Sequence, residues 1–235
     1  MFCWQTPTVS NFGDLLGVPL LARYSNVKAT VTDPWDADIV VCGSVLRLLP
    51  EKWKGIILGT GSLGQQRLPD LSQAKILAVR GPRTAHALKR TDLILGDPGF
   101  LAPGLLKQSP KRVRKLVVAP HWSDNKLEGK YPEASVLNLR VSASATVRII
   151  REIGMAQQVV TSSLHAFLVA LAFGIPAMAF PHGRTSREGG DWKWHDALAP
   201  IGMKHVWGEW VEAPRQAVEE VQGQLRQAFA AVTDG

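Results

Sequence analysis

Short apolar runs rich in β-branched residues alternate with longer amphipathic or polar stretches along the chain, and most runs stop at a glycine or a polar turn. Residues 38–43 (DIVVCG), 55–59 (GIILG), 74–79 (AKILAV) and 92–96 (DLILG) form one series. Residues 116–119 (LVVA), 136–139, 159–161 (VVT) and 177–180 form a second, and residues 1–5 offer a further first strand. Runs without a polar face suit parallel strands buried on both sides, and stretches such as 82–90 can hold crossover helices. The pattern predicts an α/β protein with parallel sheets.

Helices are expected at residues 16–24, 82–90, from a Ser144 cap to Ile153, at 164–173, opening near 191–196, and at 214–232. In the last, Ala217, Val218, Val221, Leu225, Ala228, Phe229 and Val232 mark one face of a scaffold helix. The stretch 107–115 (KQSPKRVRK) is polar, basic and contains Pro110. It is the natural linker, dividing the chain into domains at 1–106 and 116–235.

The stretch 158–176 (QVVTSSLHAFLVALAFGIP) reads as strand, tight turn and buried helix, with Ser162 and Ser163 as caps, Gly174 as terminator and Pro176 as a stop. Helices that start at the carboxyl ends of parallel strands aim N–H groups at the ligand crevice, and His165 falls in that first turn. A satisfied core histidine is the bland alternative. Other strand ends carry unusual residues too. Residues 59–64 (GTGSLG), with Gly61 and Ser62, form either an anion nest or a plain turn. Arg80 ends a strand before Gly81-Pro82, which places its guanidinium by a helix N-terminus. Asp97 follows a strand as crevice carboxylate or turn residue, and His121 and Asp124 follow another. Before the first helix, Asn11 and Asp14 flank Gly13, so Asp14 either caps that helix or faces the crevice. Residues 181–190 (PHGRTSREGG) look like a mobile polar loop carrying Arg184, and Lys193 follows between Trp192 and Trp194.

A net charge of +7 favours anionic partners such as phosphorylated substrates, acidic lipid surfaces or nucleic acid. The 46% hydrophobic content excludes a disordered chain. Cys3 and Cys42 show no metal-ligand spacing and are expected reduced and packed. No basic segment followed by an apolar core opens the sequence, so a cytoplasmic protein is expected.

The motifs NFGDLL (11–16), AVRGPRT (78–84), GDPGFLAP (96–103), APHWSD (119–124) and VTSSLHAFLVALAFGIPA (160–177) together resemble the polysaccharide pyruvyl transferase family. The resemblance implies two Rossmann-like domains facing a cleft, as in GT-B glycosyltransferases. It implies transfer of the pyruvate unit of phosphoenolpyruvate onto two hydroxyls of a sugar in a cell-surface polysaccharide or its precursor. A ketal forms and phosphate leaves, with no metal and no cofactor beyond the donor substrate.

Carried over by similarity, His165 is acid/base or phosphate contact, Arg80 a clamp on the donor anion, and Lys193 or Arg184 the second cation. Asn11, Asp14, Gly61, Ser62, Asp97, His121, Asp124, Ser162, Ser163 and Arg184 are the substrate-binding candidates. Ala166 stands where the family usually has glycine, and the chain is shorter than many members. The expected partners are phosphoenolpyruvate and a saccharide acceptor. A lipid-linked acceptor would bring peripheral association with the inner face of the membrane, and no dedicated nucleic-acid binding is expected. Two rival classes share the architecture: a glycosyltransferase using a nucleotide sugar, and a non-catalytic carbohydrate- or nucleic-acid-binding protein.

Overall fold

All four apolar runs of the first series become parallel strands in the computed structural model, which describes residues 1–3, 10–124, 126–182 and 191–232. They are β1 (Ile39–Val40), β2 (Ile56–Leu58), β3 (Lys75–Val79) and β4 (Ile94–Leu95), hydrogen-bonded in that order. The second series gives β5 (Val117–Ala119), β6 (Ser135–Val136), β7 (Val159–Thr161) and β8 (Ala177–Ala179), in a separate sheet ordered β6-β5-β7-β8-β9. Its antiparallel edge strand, β9 (Trp210–Val211), is too short to show a period in the sequence. Of the strand expected at residues 1–5, Phe2 makes isolated parallel bridges to Thr32 and Val40, and residues 4 and 5 lie outside the described part.

The helix expected at 16–24 is α2 (Gly17–Tyr24), and a short α1 (Phe12–Leu15) precedes it, started by the Asn11 side chain, which accepts from Gly13 N–H. Next come α3 (Pro82–Ala87), α4 (Thr146–Gly154), α5 (Leu164–Ala172), α6 (Trp192–Leu198) and α7 (Arg215–Ala230). Ser144 does not cap α4. It sits inside a 3-10 turn, Ala143–Ala145, and its hydroxyl meets that of Ser142 at 2.9 Å. A longer 3-10 segment, Pro98–Leu105, is started by Asp97, whose Oδ1 accepts from Gly99 N–H at 2.8 Å.

Every residue of α5 from Leu164 to Leu171 is buried, as an apolar helix without a polar face must be. It packs on β7 and β8 and, most extensively, on the Pro98–Leu105 segment from the other half of the chain. The basic run docks at its far end: Arg112 donates to the carbonyls of Phe173 and Gly174, both at 2.9 Å, while Arg114 pairs with Glu152. The last helix, α7, buries Val218, Val221, Leu225 and Phe229 against β3, β4, α2 and the same 3-10 segment. The last described helix thus lies on the first sheet. Cys3 and Cys42 are free and buried, with the Cys3 thiol pushed up to about 12 chiefly by burial. Among the described residues, no helix is long and apolar enough to cross a membrane.

Candidate active site

Carboxyl ends of parallel strands from both sheets supply the site. The first sheet brings Gly43 and Ser44 after β1, Gly61 and Ser62 after β2, Arg80 after β3 and Asp97 after β4. The second brings His121 to Asp124 after β5, Ser162 to His165 after β7, and His182 after β8.

His165 sits in the first turn of α5, only 7% exposed. Its Nε2 lies 3.7 Å from Asp97 Oδ2, and neither atom has a hydrogen-bond partner. The other side of the ring lies so close to Gly13 that a Cβ there would overlap Nδ1. Only glycine lets α1 approach the imidazole in this way. Asn11 caps α1 and also donates from Nδ2 to Asp14 Oδ2 at 3.0 Å, which aims Asp14 inward. Gly43, at φ +92°, leaves room for that carboxylate.

Lys193, in the first turn of α6, is the cation of this cluster. Its charge acts on Asp14, His165, His121 and His182 alike. Burial, then the nearby Arg80, lowers its own pKa to about 8 against the pull of Asp14. The pKa of His165 is lowered by burial first; Asp97 opposes, and Lys193 and Arg80 add to the fall. The imidazole is therefore neutral at pH 7.

Arg80 is fully buried and already occupied. Its Nε meets Asp196 Oδ2 at 3.1 Å, Nη1 donates to Ser44 Oγ at 2.6 Å, and Nη2 donates to the carbonyl of Ser62. Gly61 lies against the guanidinium. The N–H groups of Gly59, Gly61, Ser62 and Gly64 are all used inside the protein, so the observed role of residues 59–64 is to wrap Arg80. Asp196, on α6, caps α3 as well, accepting from the Arg83 and Thr84 N–H groups and from Thr84 Oγ1.

The two serines divide the work. Ser163 Oγ caps α5, facing Ala166 N–H at 3.5 Å. Ser162 Oγ accepts from His121 N–H at 2.9 Å and donates to Asp124 Oδ2 at 2.6 Å. Burial works against ionised Asp124, yet the Ser162 hydrogen bond and the N–H groups of Lys126 and Leu127 bring its pKa below the ordinary value. His121 is held down to about 3, by burial first and then by Lys193 and His182.

Arg184 and most of the loop expected at 181–190 lie outside the described residues. Sequence reasoning missed Asp196, Ser44, Thr84, Ser123 and His182. Two had a readable signal: His182 closely follows a strand, and Asp196 lies three residues after Lys193, on the same side of a helix. Trp194 anchors α6: its ring packs on Phe167 at 5.3 Å and on His205 at 4.7 Å. Among the described residues, no group of three or more His, Cys, Asp and Glu side chains could hold a metal ion.

Asp14 gives a stability test. Its carboxyl is pushed up to about 7, chiefly by burial, while Asn11 and Lys193 oppose and Asp97 adds. An acid raised from 3.8 to about 7 stays protonated in the fold after it ionises in the unfolded chain. Stability is therefore lost as pH rises through that window and stays low above it. Asp14→Asn should melt higher than wild type, with an advantage that grows from pH 4 to pH 7 and then levels. Thermal melts across pH check this, and an advantage independent of pH would contradict the buried, strained carboxylate.

The converging strand ends define an α/β protein whose candidate site joins a buried lysine, an imidazole and two carboxylates at the junction of two mainly parallel sheets. The chain belongs to the polysaccharide pyruvyl transferase family, whose profile matches residues 8–184. It is similar to the succinoglycan biosynthesis protein ExoV of Rhizobium meliloti (strain 1021), 30% identical over 177 residues, covering 71% of this chain and 54% of that protein. It is also similar to an uncharacterized protein of Acanthamoeba polyphaga mimivirus, 27% identical over 161 residues, covering 63% of this chain and 55% of that protein. The chain thus spans about half the length of these curated relatives. The family match holds Asp14, Arg80, Asp97, His121 and His165 but ends before Lys193 and Asp196.

Proposed function

We propose that the protein transfers the pyruvate unit of phosphoenolpyruvate onto two hydroxyls of a saccharide in a cell-surface polysaccharide or its precursor, forming a ketal and releasing phosphate. The observation that carries this reading is the buried, unpartnered pair of His165 Nε2 and Asp97 Oδ2, 3.7 Å apart beside Lys193. Buried polar atoms are nearly always paired, so an imidazole nitrogen left open within a cationic cluster is suited to handling a reacting proton.

The chemistry asks for what this cluster holds. A neutral imidazole at pH 7 can take a hydroxyl proton and return it to the methylene carbon of the donor. A lysine ammonium in a poorly solvated site favours the phosphate as it leaves, and Arg80 adds its field from behind. The ExoV similarity supports an exopolysaccharide acceptor for this family member. The two separate, mainly parallel sheets support a GT-B-like pair of Rossmann-like domains, divided at 107–115 with α7 packed back on the first. Cytoplasmic placement and a lipid-linked acceptor at the inner face of the membrane belong to the same proposal.

Thermal-shift screening with phosphoenolpyruvate, nucleotide sugars and single-stranded DNA tests the reading first. Stabilisation by phosphoenolpyruvate is expected. A shift confined to nucleotide sugars or DNA would replace this reading by a rival class. In turnover assays, His165→Ala should lower kcat by about 10²-fold with little change in the KM for phosphoenolpyruvate. Near-normal turnover would return His165 to a core-packing role.

A further inference from the structure

Three neighbouring strand ends of the second sheet build a second polar cluster beside the His165 pair. His121, Ser123 and Asp124 follow β5, Ser162 follows β7 and His182 follows β8. Ser123 Oγ stands between two imidazoles, 2.9 Å from His121 Nδ1 and 2.7 Å from His182 Nε2. The rings lie 4.9 Å apart between centroids. At one end, His182 Nδ1 lies 3.8 Å from Asp124 Oδ2, the same oxygen that Ser162 holds. Ser123 itself is exposed.

Such a chain has two hydrogen-bonding states. In one, His182 Nε2–H donates to Ser123 Oγ, whose hydroxyl donates to His121 Nδ1. In the other, both bonds are reversed. A proton taken up at His182 Nδ1 and one released from His121 Nε2 accompany the switch, so both rings end neutral and no heavy atom moves.

The proposed reaction needs a second proton path. Two carbon–oxygen bonds to the acceptor form and the carbon–oxygen bond to phosphate breaks, its electron pair leaving with the phosphate oxygen. The double-bond pair of the donor takes up one proton to make the methyl group. Two hydroxyl protons are released: one ends on that carbon and the other on the departing phosphate. His165, with its single open nitrogen, serves one of these transfers at a time.

We propose that His121, Ser123 and His182 form a proton relay serving the other transfer, between an acceptor hydroxyl and the leaving phosphate, with Asp124 holding the relay in register. This rests on the pyruvyl transfer proposed above. Proximity supports it: Lys193 acts on both imidazoles, His165 acts on His121, and Ser162 and His165 share one turn.

The test uses wild-type protein, phosphoenolpyruvate and a panel of exopolysaccharide oligosaccharides pretreated with mild acid to remove any ketals, with phosphate release followed continuously. His182→Ala should lower kcat about 10²-fold with the KM for phosphoenolpyruvate within about threefold, and added imidazole should restore part of the rate. Ser123→Ala, at an exposed position that folding does not depend on, should lower kcat about tenfold while leaving the melting temperature unchanged. Wild-type kcat in Ser123→Ala, or a rate loss in His182→Ala that imidazole leaves untouched, overturns the relay. A wild-type protein that releases no phosphate from phosphoenolpyruvate with these oligosaccharides overturns instead the functional reading beneath it.

Discussion

Replacing Asp196 by alanine is expected to lower the melting temperature by on the order of 10 °C. The carboxylate accepts four hydrogen bonds, from Arg80 Nε, the Arg83 and Thr84 N–H groups, and Thr84 Oγ1. Its removal uncaps α3 and leaves a guanidinium with 0% side-chain exposure facing no counter-charge. Breaking one side of a buried ion pair costs about 3–5 kcal/mol, far more than a surface pair. The loss also separates α6 from the first sheet, and with α6 goes the anchor of Lys193. A double-mutant cycle isolates the pair: Arg80→Met with Asp196→Ala should cost clearly less than the sum of the single changes, because no charge is then stranded. Unchanged melting in Asp196→Ala, or strict additivity in the cycle, would show that the contact carries no such weight.

That pair also shows where sequence reading runs out. The place of Arg80 is legible from an apolar run ending at Arg-Gly-Pro, because strand, turn and helix start are local signals. Its partner lies 116 residues later on another helix, and no periodicity connects the two. The β7–α5 junction is legible for the same local reason: a β-branched run, two serines, an apolar helix and a Gly-Ile-Pro stop follow in sequence. Asp97-Pro98-Gly99 reads as a turn, but its continuation as a 3-10 segment through Leu105 is fixed by packing against α5 and α7. β9 is defined by its antiparallel pairing with β8, a contact between segments about 30 residues apart that no local pattern announces.

The candidate site is legible one residue at a time, and its pairings are not. Strand ends point to His121, Asp124 and His165, whereas the contacts of His165 with Gly13 and of Asp14 with Gly43 depend on how α1 meets α5 and β1. The asparagine before that helix was the one local hint, since a capping Asn11 that also holds Asp14 turns the carboxylate inward. Ser123 and His182 become a pair only through the neighbouring positions of β5, β7 and β8 in the sheet.

Lys193→Met is expected to cost about 10³-fold in kcat for phosphate release while raising the melting temperature at pH 7. The two effects share one cause. Burial lowers the lysine from 10.5 to about 8, so the fold disfavours the ammonium, and that cost is fully present below pH 8. As pH rises from about 8 to 10.5, the folded lysine loses its proton before the unfolded one, and the cost fades. The stability advantage of the Met variant should therefore shrink over that window. Loss of the cation also leaves Asp14 without an opposing charge, but Asp14 then stays protonated at pH 7, which limits the penalty. A cation kept where it weakens the fold, acting on both histidine clusters, fits the proposed contact with the negative charge of the leaving phosphate. The pH profile supplies a second readout: wild-type kcat should decline as pH rises through about 8, when the ammonium is lost, and the Met variant should lack that limb. Phosphate release and melting measured on the same preparations decide the matter. Wild-type rates in Lys193→Met, or a variant that melts lower at pH 7 and loses activity in proportion, would assign Lys193 to the scaffold and leave the phosphate to another cation.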